Sequence, residues 1–258
     1  MTATFLRNTR AEFLKCNNTA AYWITLAGAG FIPFVNMLKC LLHADYFAPK
    51  LVDNPWTIYL EYNWQIAAGF LLTMYVILVT SLLVQIEYRN NAWKQVYTSP
   101  RTYFDIYFSK FLMLNFLVII CFVLFNIFTL VFGYVISIFD NRYSFFSHSV
   151  PWTAMITTSW KMYVSVLAML AIQFGVATKF SNFALPLGIG LGLFTLGFMI
   201  RQWEGIAYYP YLYPFLVYFN NPGLPENIAG KSLINSFLWS LLALFLGYHS
   251  TKQRLVKG

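Results

Sequence analysis

The chain has 258 residues, of which 59% are hydrophobic and only 10% are charged, and its formal net charge is +8 at pH 7. A soluble domain of ordinary composition carries about 25% charged residues. So few charges cannot cover a water-exposed surface. The composition therefore excludes a water-soluble domain and predicts a polytopic membrane protein.

The N-terminal segment, residues 1–18, alternates apolar with charged residues. Its apolar residues are Phe5, Leu6, Phe13 and Leu14. Its charged residues are Arg7, Arg10, Glu12 and Lys15. This pattern favours an amphipathic helix that lies in the membrane interface. A disordered basic tail is the alternative.

Six apolar runs follow, and a helix that crosses the hydrocarbon core needs about 20 mostly apolar residues. We predict an all-α membrane protein whose single transmembrane domain covers residues 1–258. Its six transmembrane helices are placed near residues 21–42, 64–86, 111–138, 162–178, 183–200 and 233–248.

Six spans place both termini on one side of the membrane. That side holds eleven Lys and Arg residues, whereas the other side holds six. Because short loops rich in Lys and Arg stay in the cytoplasm, both termini and the segment 87–110 are predicted to be cytoplasmic. The basic face suits contact with anionic lipid headgroups, so the excess charge requires no nucleic-acid partner.

Segment 87–110 is the longest polar interruption between two apolar runs on that side. Asn91 is a suitable N-cap for a short helix. Trp93, Val96 and Tyr97 then follow the spacing i, i+3 and i+4, which gives one apolar stripe on a helical surface. We interpret this helix as the place where a soluble partner acts on the membrane domain. An interfacial loop with aromatic residues at headgroup level is the alternative.

A second helix is predicted to start at Pro100, with Ser99 as its cap, and to run through Lys110 into the third span. Glu87 and Lys110 then lie at the feet of adjacent spans, where they are placed to form an ion pair.

Segment 201–232 is unusually aromatic and is interrupted by Pro210, Pro214 and Pro222. A broken hairpin that re-enters the membrane from the extracytoplasmic side explains this composition, because non-helical backbone at that depth must be buried in protein or line a cavity. An aromatic belt at the outer surface is the alternative.

Gly188 and Gly192 form a small-xxx-small pattern in the fifth predicted span. Glycines at this spacing let two helices approach closely in lipid. The pattern fits an interface between subunits and, equally, packing within one bundle.

Residues suited to catalysis are scattered along the chain. The histidines and cysteines lie far apart, at His43, His148, His249, Cys16, Cys40 and Cys121. No metal-ligand spacing or catalytic motif results. Residues 225–232 end like a phosphate-binding loop but lack its first glycine and a preceding strand. We therefore expect no catalytic residue, no metal and no bound ATP in this chain.

The six-span layout and segment 87–110 resemble the membrane subunit of a type-2 ABC transporter, of the kind that exports lantibiotics and bacitracin. The resemblance is carried by Glu87, Arg89, Trp93, Lys94, Gln95, Ser99, Pro100, Arg101, Ser109 and Lys110. In that family a short coupling helix after the second span docks on the ATPase. The positions that this implies for ATPase coupling are Glu87, Arg89, Asn91, Trp93, Lys94, Val96, Tyr97 and Lys110.

The resemblance also implies the function and the partners. The chain would be the permease of an ATP-driven exporter in the bacterial cytoplasmic membrane, with a second permease subunit and an ABC ATP-binding subunit that holds ATP and Mg. The cargo would be hydrophobic or amphipathic, such as a peptide antibiotic or a lipid-like molecule. A membrane anchor that recruits a cytoplasmic partner without transporting anything is the alternative.

Overall fold

The structure is a computed structural model, and it describes residues 9, 10, 12–14, 16, 19–51, 53–89, 102–219 and 227–257. Within these ranges all regular structure is helical, without a β-strand. The predicted all-α class is confirmed.

Eight helices form the main elements and are numbered in chain order. They are α1 Ala20–Leu42, α2 Pro55–Ile66, α3 Leu72–Arg89, α4 Tyr103–Phe139, α5 Trp152–Ala177, α6 Ala184–Met199, α7 Tyr213–Phe219 and α8 Ile228–Lys257. A π-helical turn, Ala67–Leu71, joins α2 to α3. Shorter helical turns are Ala44–Phe47, Ala48–Leu51, Phe145–Ser147, Glu204–Tyr208 and Pro210–Leu212.

Five helical stretches are long and apolar enough to cross a membrane: α1, the continuous stretch Pro55–Gln85, α4, α5 and the stretch Ile228–Gln253 of α8. The fifth predicted span corresponds to α6, which has only 16 residues. At 1.5 Å per residue α6 is about 24 Å long, which is shorter than the roughly 30 Å hydrocarbon core. The protein is therefore an integral membrane protein, with five candidate spans and one shorter apolar helix within its described residues.

Two predicted loops are partly helical. The chain before Trp64 was expected to be a polar loop, but α2 begins at Pro55, where the side chain of Asn54 accepts a hydrogen bond from the Trp56 N–H at 3.1 Å. Residues 152–161 were also expected to be a loop, but they form the first turns of α5. Both predictions were wrong. The Asn54 cap and the buried side chains of Trp56 and Tyr59 extend α2 beyond its most apolar part, whereas α5 begins without a side-chain cap.

The start of α4 also differs from its prediction. The helix begins at Tyr103 rather than at Pro100, because the side chain of Thr102 caps it by accepting the Asp105 N–H at 3.1 Å. The cap on Thr102 satisfies one of the free N–H groups of the first turn.

The bundle has two ends, and each end is marked by contacts between elements that lie far apart in the sequence. At the terminal end, which holds the start of α1 and the end of α8, contacts join Glu12 to Lys110, Gln85 to Ser181 and Phe104 to Tyr248. At the opposite, distal end, contacts join Cys40 to Tyr143, Asp45 to Arg142 and Trp56 to Phe145.

An aromatic cluster closes the distal end. The side chains of Trp56, Tyr59 and Phe145 are completely buried, and the rings of Trp56 and Phe145 meet edge to face at 4.7 Å. Each polar tip has a partner: the Trp56 indole donates to the Phe145 carbonyl and the Tyr59 hydroxyl donates to the Pro33 carbonyl. Gly133 makes room for this cluster, since a Cβ there would lie 2.6 Å from the Trp56 ring.

Helix α5 lies at the centre of the bundle, packed against α3 and α8. The side chain of Ser236 on α8 enters the hydrogen-bond ladder of α5, donating to the Val164 carbonyl at 2.6 Å and accepting from the Ala168 N–H at 3.2 Å. Small residues thus bring α5 and α8 close together, as is common between helices in membranes.

The aromatic segment after α6 packs against the bundle. Four side chains here are buried, those of Ile206, Tyr211, Leu212 and Tyr213, although Tyr208 is 65% exposed. Burial of Tyr211 and Tyr213 does not fit the alternative of a belt at the outer surface. Residues 220–226 of the predicted 201–232 element lie outside the described residues.

Candidate functional site

The predicted coupling helix lies outside the described residues, which include none of Asn91, Trp93, Lys94, Val96 and Tyr97. The structure places the backbone of Glu87 and Arg89 in the last turn of α3. These seven assignments remain predictions.

Lys110 lies in the second turn of α4 and is buried. Its Nζ is 3.7 Å from Oε2 of Glu12, and both side chains are at most 10% exposed. Nearby, Phe13 packs edge to face on Phe116, with ring centroids 4.4 Å apart. The N-terminal segment is therefore fastened to the foot of α4 by an ion pair and an aromatic contact. The predicted ion pair of Lys110 with Glu87 stays a prediction, because the Glu87 side chain lies outside the described residues. The sequence gave no sign of Glu12, because no local spacing relates residues so far apart in the chain.

Cys16 lies in the same segment and is 2% exposed. Burial raises the pKa of its thiol, while a contact with the Thr19 hydroxyl lowers the pKa. A thiol with a raised pKa is a poor nucleophile at neutral pH, so Cys16 has a packing role.

The glycines of α6 lie on two different faces of the helix. Gly188 and Gly192 are exposed, and a Cβ added at either would meet no atom within 4 Å. Gly190, between them, is buried, and a Cβ there would lie 2.7 Å from Ile77 and 2.8 Å from Oε1 of Gln173. Packing within the bundle thus uses Gly190, whereas Gly188 and Gly192 lie on the outer face of α6.

Gln173 is the centre of a buried polar junction. Its amide nitrogen donates to the Pro186 carbonyl at 2.8 Å and to the Ser81 hydroxyl at 3.4 Å. Its amide oxygen accepts from the Tyr211 hydroxyl at 2.9 Å. The side chains of Gln173, Ser81 and Tyr211 are at most 2% exposed.

This polar junction ties α3, α5 and α6 to the segment that follows α6. A buried amide is costly unless its hydrogen bonds are made, so the junction fixes these four elements relative to one another. Gln173 was not predicted, because only charged residues within the spans were taken as signs of function. A lone glutamine within a predicted span was the signal that could have found it.

A cavity of about 310 Å³ lies between α1, the α2–α3 stretch and α4, and we call it the lateral cavity. Its walls include Gly28, Phe31, Trp64, Tyr75, Phe122 and Phe125. The π-helical turn Ala67–Leu71 contributes to the same wall. π-Helical turns inside α-helices occur frequently at functional sites.

A smaller cavity of about 130 Å³, the distal cavity, lies between the start of α2, the start of α5 and α7. Its walls include polar side chains, among them Thr57, Glu61 and Thr158. Trp64 lies in the walls of both cavities and thus separates the apolar one from the polar one.

At the distal end, Arg142 joins two carboxylates. Its guanidinium nitrogens lie 2.6 Å from Asp45 and 2.7 Å from Asp140. The hydrogen bonds from Arg142 lower the pKa of Asp140, and the two carboxylates raise the pKa of Arg142. This exposed cluster ties the α1–α2 connection to the loop after α4.

Groups suited to hold a metal ion do not come together within the described part of the chain: three or more His, Cys, Asp or Glu side chains nowhere form such a cluster. The arrangement offers instead a bundle of apolar helices, a buried polar junction and a lateral cavity.

Comparison with known proteins gives one match. The family model described as "ABC-2 family transporter protein" matches residues 9–197, which is more than half of the chain. No curated protein and no solved structure matches the sequence.

Proposed function

The chain belongs to the ABC-2 family of transporter proteins and is a membrane permease, and we propose that it serves an ATP-driven exporter of hydrophobic or amphipathic molecules. The family match carries this proposal. It extends from the N-terminal segment to α6 and includes segment 87–110, with the five residues Asn91, Trp93, Lys94, Val96 and Tyr97.

The terminal end is proposed to face the cytoplasm of a bacterial cell. Eleven of the Lys and Arg residues fall on this side in the six-span arrangement, against six on the other. Positive residues retained in the cytoplasm set the orientation of membrane proteins. Both termini and segment 87–110 are then cytoplasmic, where an ATPase can reach them.

Six crossings are proposed, with α6 as the short one. The exposed Leu185 and Met199 near its ends suit an apolar environment along its whole length. The hydrogen bond from Tyr211 to Gln173 supports a re-entrant element after α6, because Gln173 lies near the terminal end of α5. A segment broken into short helical turns is tolerated at this depth when it is buried in protein, as the side chains of Ile206, Tyr211 and Leu212 are.

A second permease subunit is proposed to pack on the outer face of α6. Gly188 and Gly192 leave a shallow groove there, flanked by the exposed side chains of Leu185, Leu191 and Leu196. Glycines one turn apart let a second helix approach closely in lipid. Substrate would then pass between the two permease chains.

The partner ATPase is proposed to supply ATP and Mg and to dock on the helix after α3. Closure of the ATPase on ATP would push segment 87–110. The last turn of α3 and the first turns of α4 belong to this segment, so movement would reach both helices directly. Export, the resistance to a peptide antibiotic and the amphipathic cargo are parts of the proposal that rest on the resemblance of segment 87–110.

The second candidate is a membrane anchor that recruits a cytoplasmic protein without transporting a substrate. The basic N-terminal and C-terminal sequences would suit either role. The two differ in one property: only a permease changes the rate of ATP hydrolysis when its substrate is added.

The test is purification of the tagged full chain from its own membranes, with mass spectrometry of the proteins that copurify. We expect an ABC ATP-binding subunit, and ATP hydrolysis by the complex that changes when an amphipathic peptide is added. Lys231→Ala is the matched control, since residues 225–232 are not expected to bind nucleotide and hydrolysis should persist. Two results would favour the anchor: no ATPase among the copurifying proteins, or a rate of ATP hydrolysis that no amphipathic peptide changes.

A further inference from the structure

The lateral cavity has the shape and the chemistry of a site for a hydrocarbon chain. Its wall on the α2–α3 stretch extends from Trp64 to Leu78. Fourteen positions along a helix correspond to about 20 Å. The cavity is thus elongated along the helices, in the direction in which lipid chains lie in a bilayer.

The cavity opens at the lipid-facing surface of the bundle. Its wall on α1 is formed by Ile24, Ala27, Gly28, Phe31 and Ile32, of which Ala27, Gly28 and Phe31 are exposed. A molecule that moves within the membrane can therefore enter sideways, without passing through water.

The lining is almost wholly apolar. Among its polar side chains, the hydroxyl of Tyr75 is already bonded to Thr25 at 2.9 Å and to the Leu117 carbonyl at 3.1 Å. A polar ligand would lose its hydrogen bonds here and gain few in return, whereas a hydrocarbon chain that enters from the bilayer has no hydrogen bonds to lose.

One end of the lateral cavity differs from the rest. Trp64 closes it there, and the distal cavity on the other side of the indole has the polar side chains of Thr57, Glu61 and Thr158. The buried indole N–H of Trp64 has no hydrogen-bond acceptor among the residues that the structure describes. Buried polar groups in proteins are nearly always bonded, so this donor suits an acceptor that a ligand brings.

We propose that the lateral cavity binds the tail of a single-chain amphiphile, with the polar head at the Trp64 end. The amphiphile enters between α1 and α3, and its hydrocarbon tail lies along the π-helical turn. An acceptor oxygen of its head binds the Trp64 N–H. The site lies within one chain, so it requires neither the second permease nor the ATPase and goes beyond the transport role proposed above.

The probe is a lysophosphatidylcholine that carries a diazirine in the middle of its chain, photoactivated with the full chain in phosphatidylcholine nanodiscs. Labelled residues are mapped by mass spectrometry. We expect labels to concentrate on Gly28, Phe31 and Tyr75, and unlabelled lysophosphatidylcholine to compete for them.

Gly28→Leu is the filling variant, and Gly28→Ala is its matched control. A Cβ at Gly28 lies at ordinary contact distance, 3.6 Å from the Tyr75 ring, so alanine fits whereas the leucine side chain extends into the cavity. Leucine should lower the labelling at least five-fold and alanine should leave it within two-fold. Ala27→Phe, which narrows the mouth at an exposed position, replaces Gly28→Leu if that variant does not fold. Trp64→Phe keeps an aromatic side chain, smaller than the indole and without its N–H, and should lower the labelling about three-fold.

Three results would overturn the proposal. The first is labelling that persists unchanged in the filling variant. The second is equal labelling by a two-chain phosphatidylcholine probe, and the third is labels spread evenly over exposed residues such as Trp23 and Ile119. In the last two cases the cavity would hold only bulk lipid.

Discussion

The two ends of the bundle are stabilised in different ways. At the distal end the aromatic side chains of Trp56, Tyr59 and Phe145 are completely buried, and the polar tips of Trp56 and Tyr59 are bonded to carbonyl groups. At the terminal end aromatic rings also meet, as those of Phe104 and Tyr248 do, but a lysine–glutamate pair at 3.7 Å and a hydrogen bond from Gln85 to Ser181 at 3.3 Å join further elements.

This difference suits a membrane domain that is driven from one end. Dense aromatic packing resists change because any shift loses many contacts at once. An exposed hydrogen bond such as that of Gln85 contributes only about 0.5–1.5 kcal/mol, so it exchanges partners at smaller cost. We infer that the distal end acts as the fixed point of the bundle, while the feet of α3 and α4 move when a partner acts on segment 87–110.

The largest expected effect is at the fixed point. Trp56→Ala removes a fully buried ring, which should destabilise the protein by about 3–5 kcal/mol. Thermal unfolding in detergent, followed by size-exclusion chromatography, measures this loss. The matched control is Trp152→Ala, whose ring is 58% exposed and should matter little. Equal melting temperatures for the two variants would contradict a distal fixed point.

The next effect is at the foot of α4. Glu12→Gln removes the negative charge beside the buried Lys110 ammonium, which should cost about 1–3 kcal/mol, since a buried group that loses a partner bears more of its desolvation penalty. A double-mutant cycle with Lys110→Met measures the coupling by thermal unfolding. We expect the double variant to be more stable than the sum of the single losses predicts. Strict additivity would show that the two side chains do not interact.

Gly190 tests the polar junction between the two ends. Gly190→Ala adds a methyl group 2.7 Å from Ile77 and 2.8 Å from Gln173, so the Gln173 amide must move. We expect a loss of about 1–2 kcal/mol, in the range for overpacking. Gly192→Ala, whose methyl group meets nothing within the chain, is the control for stability. If both variants melt alike, the close contact around Gly190 is not what positions Gln173.

The smallest expected effect is at the exposed Arg142 cluster. Arg142→Gln should lower the melting temperature only slightly, because exposed ion pairs contribute little. The folded pKa of Asp140 is lowered by Arg142, so this contribution is present above the ordinary carboxyl pKa of about 3.9 and is lost as the pH falls through the lower folded value. Melting curves of both proteins from pH 7 downward should therefore converge only below pH ~4. Convergence already at pH 6 would contradict the lowered pKa.

Composition and hydropathy were enough to predict an integral, all-helical membrane protein, because a chain with 10% charged residues has no soluble alternative. Helix ends were predicted less well. Asn54 and Thr102 act as caps, and a cap depends on the few residues around it rather than on average hydropathy.

Long-range partners were not accessible from sequence patterns. The spacing of Gly188 and Gly192 predicted close packing, but only the three-dimensional arrangement shows that Gly190 faces the bundle and its neighbours do not. In the same way, the partners of Gln173 and Lys110 come from elements that no periodicity relates to one another. The coupling helix around Trp93 remains a prediction from its local pattern and its resemblance.

The central claim, that an ATPase acts on this permease through segment 87–110, is tested most directly at Trp93. The measurement is the affinity of the copurified ATPase for detergent-solubilised permease carrying Trp93→Ala, with Trp152→Ala at the distal end as the matched control. Loss of a central interface tryptophan typically costs at least about 2 kcal/mol, so binding should weaken by about thirty-fold or more in Trp93→Ala and stay unchanged in Trp152→Ala. Unchanged ATPase binding and unchanged toxin resistance in Trp93→Ala would contradict the claim and favour an interfacial aromatic loop at this position.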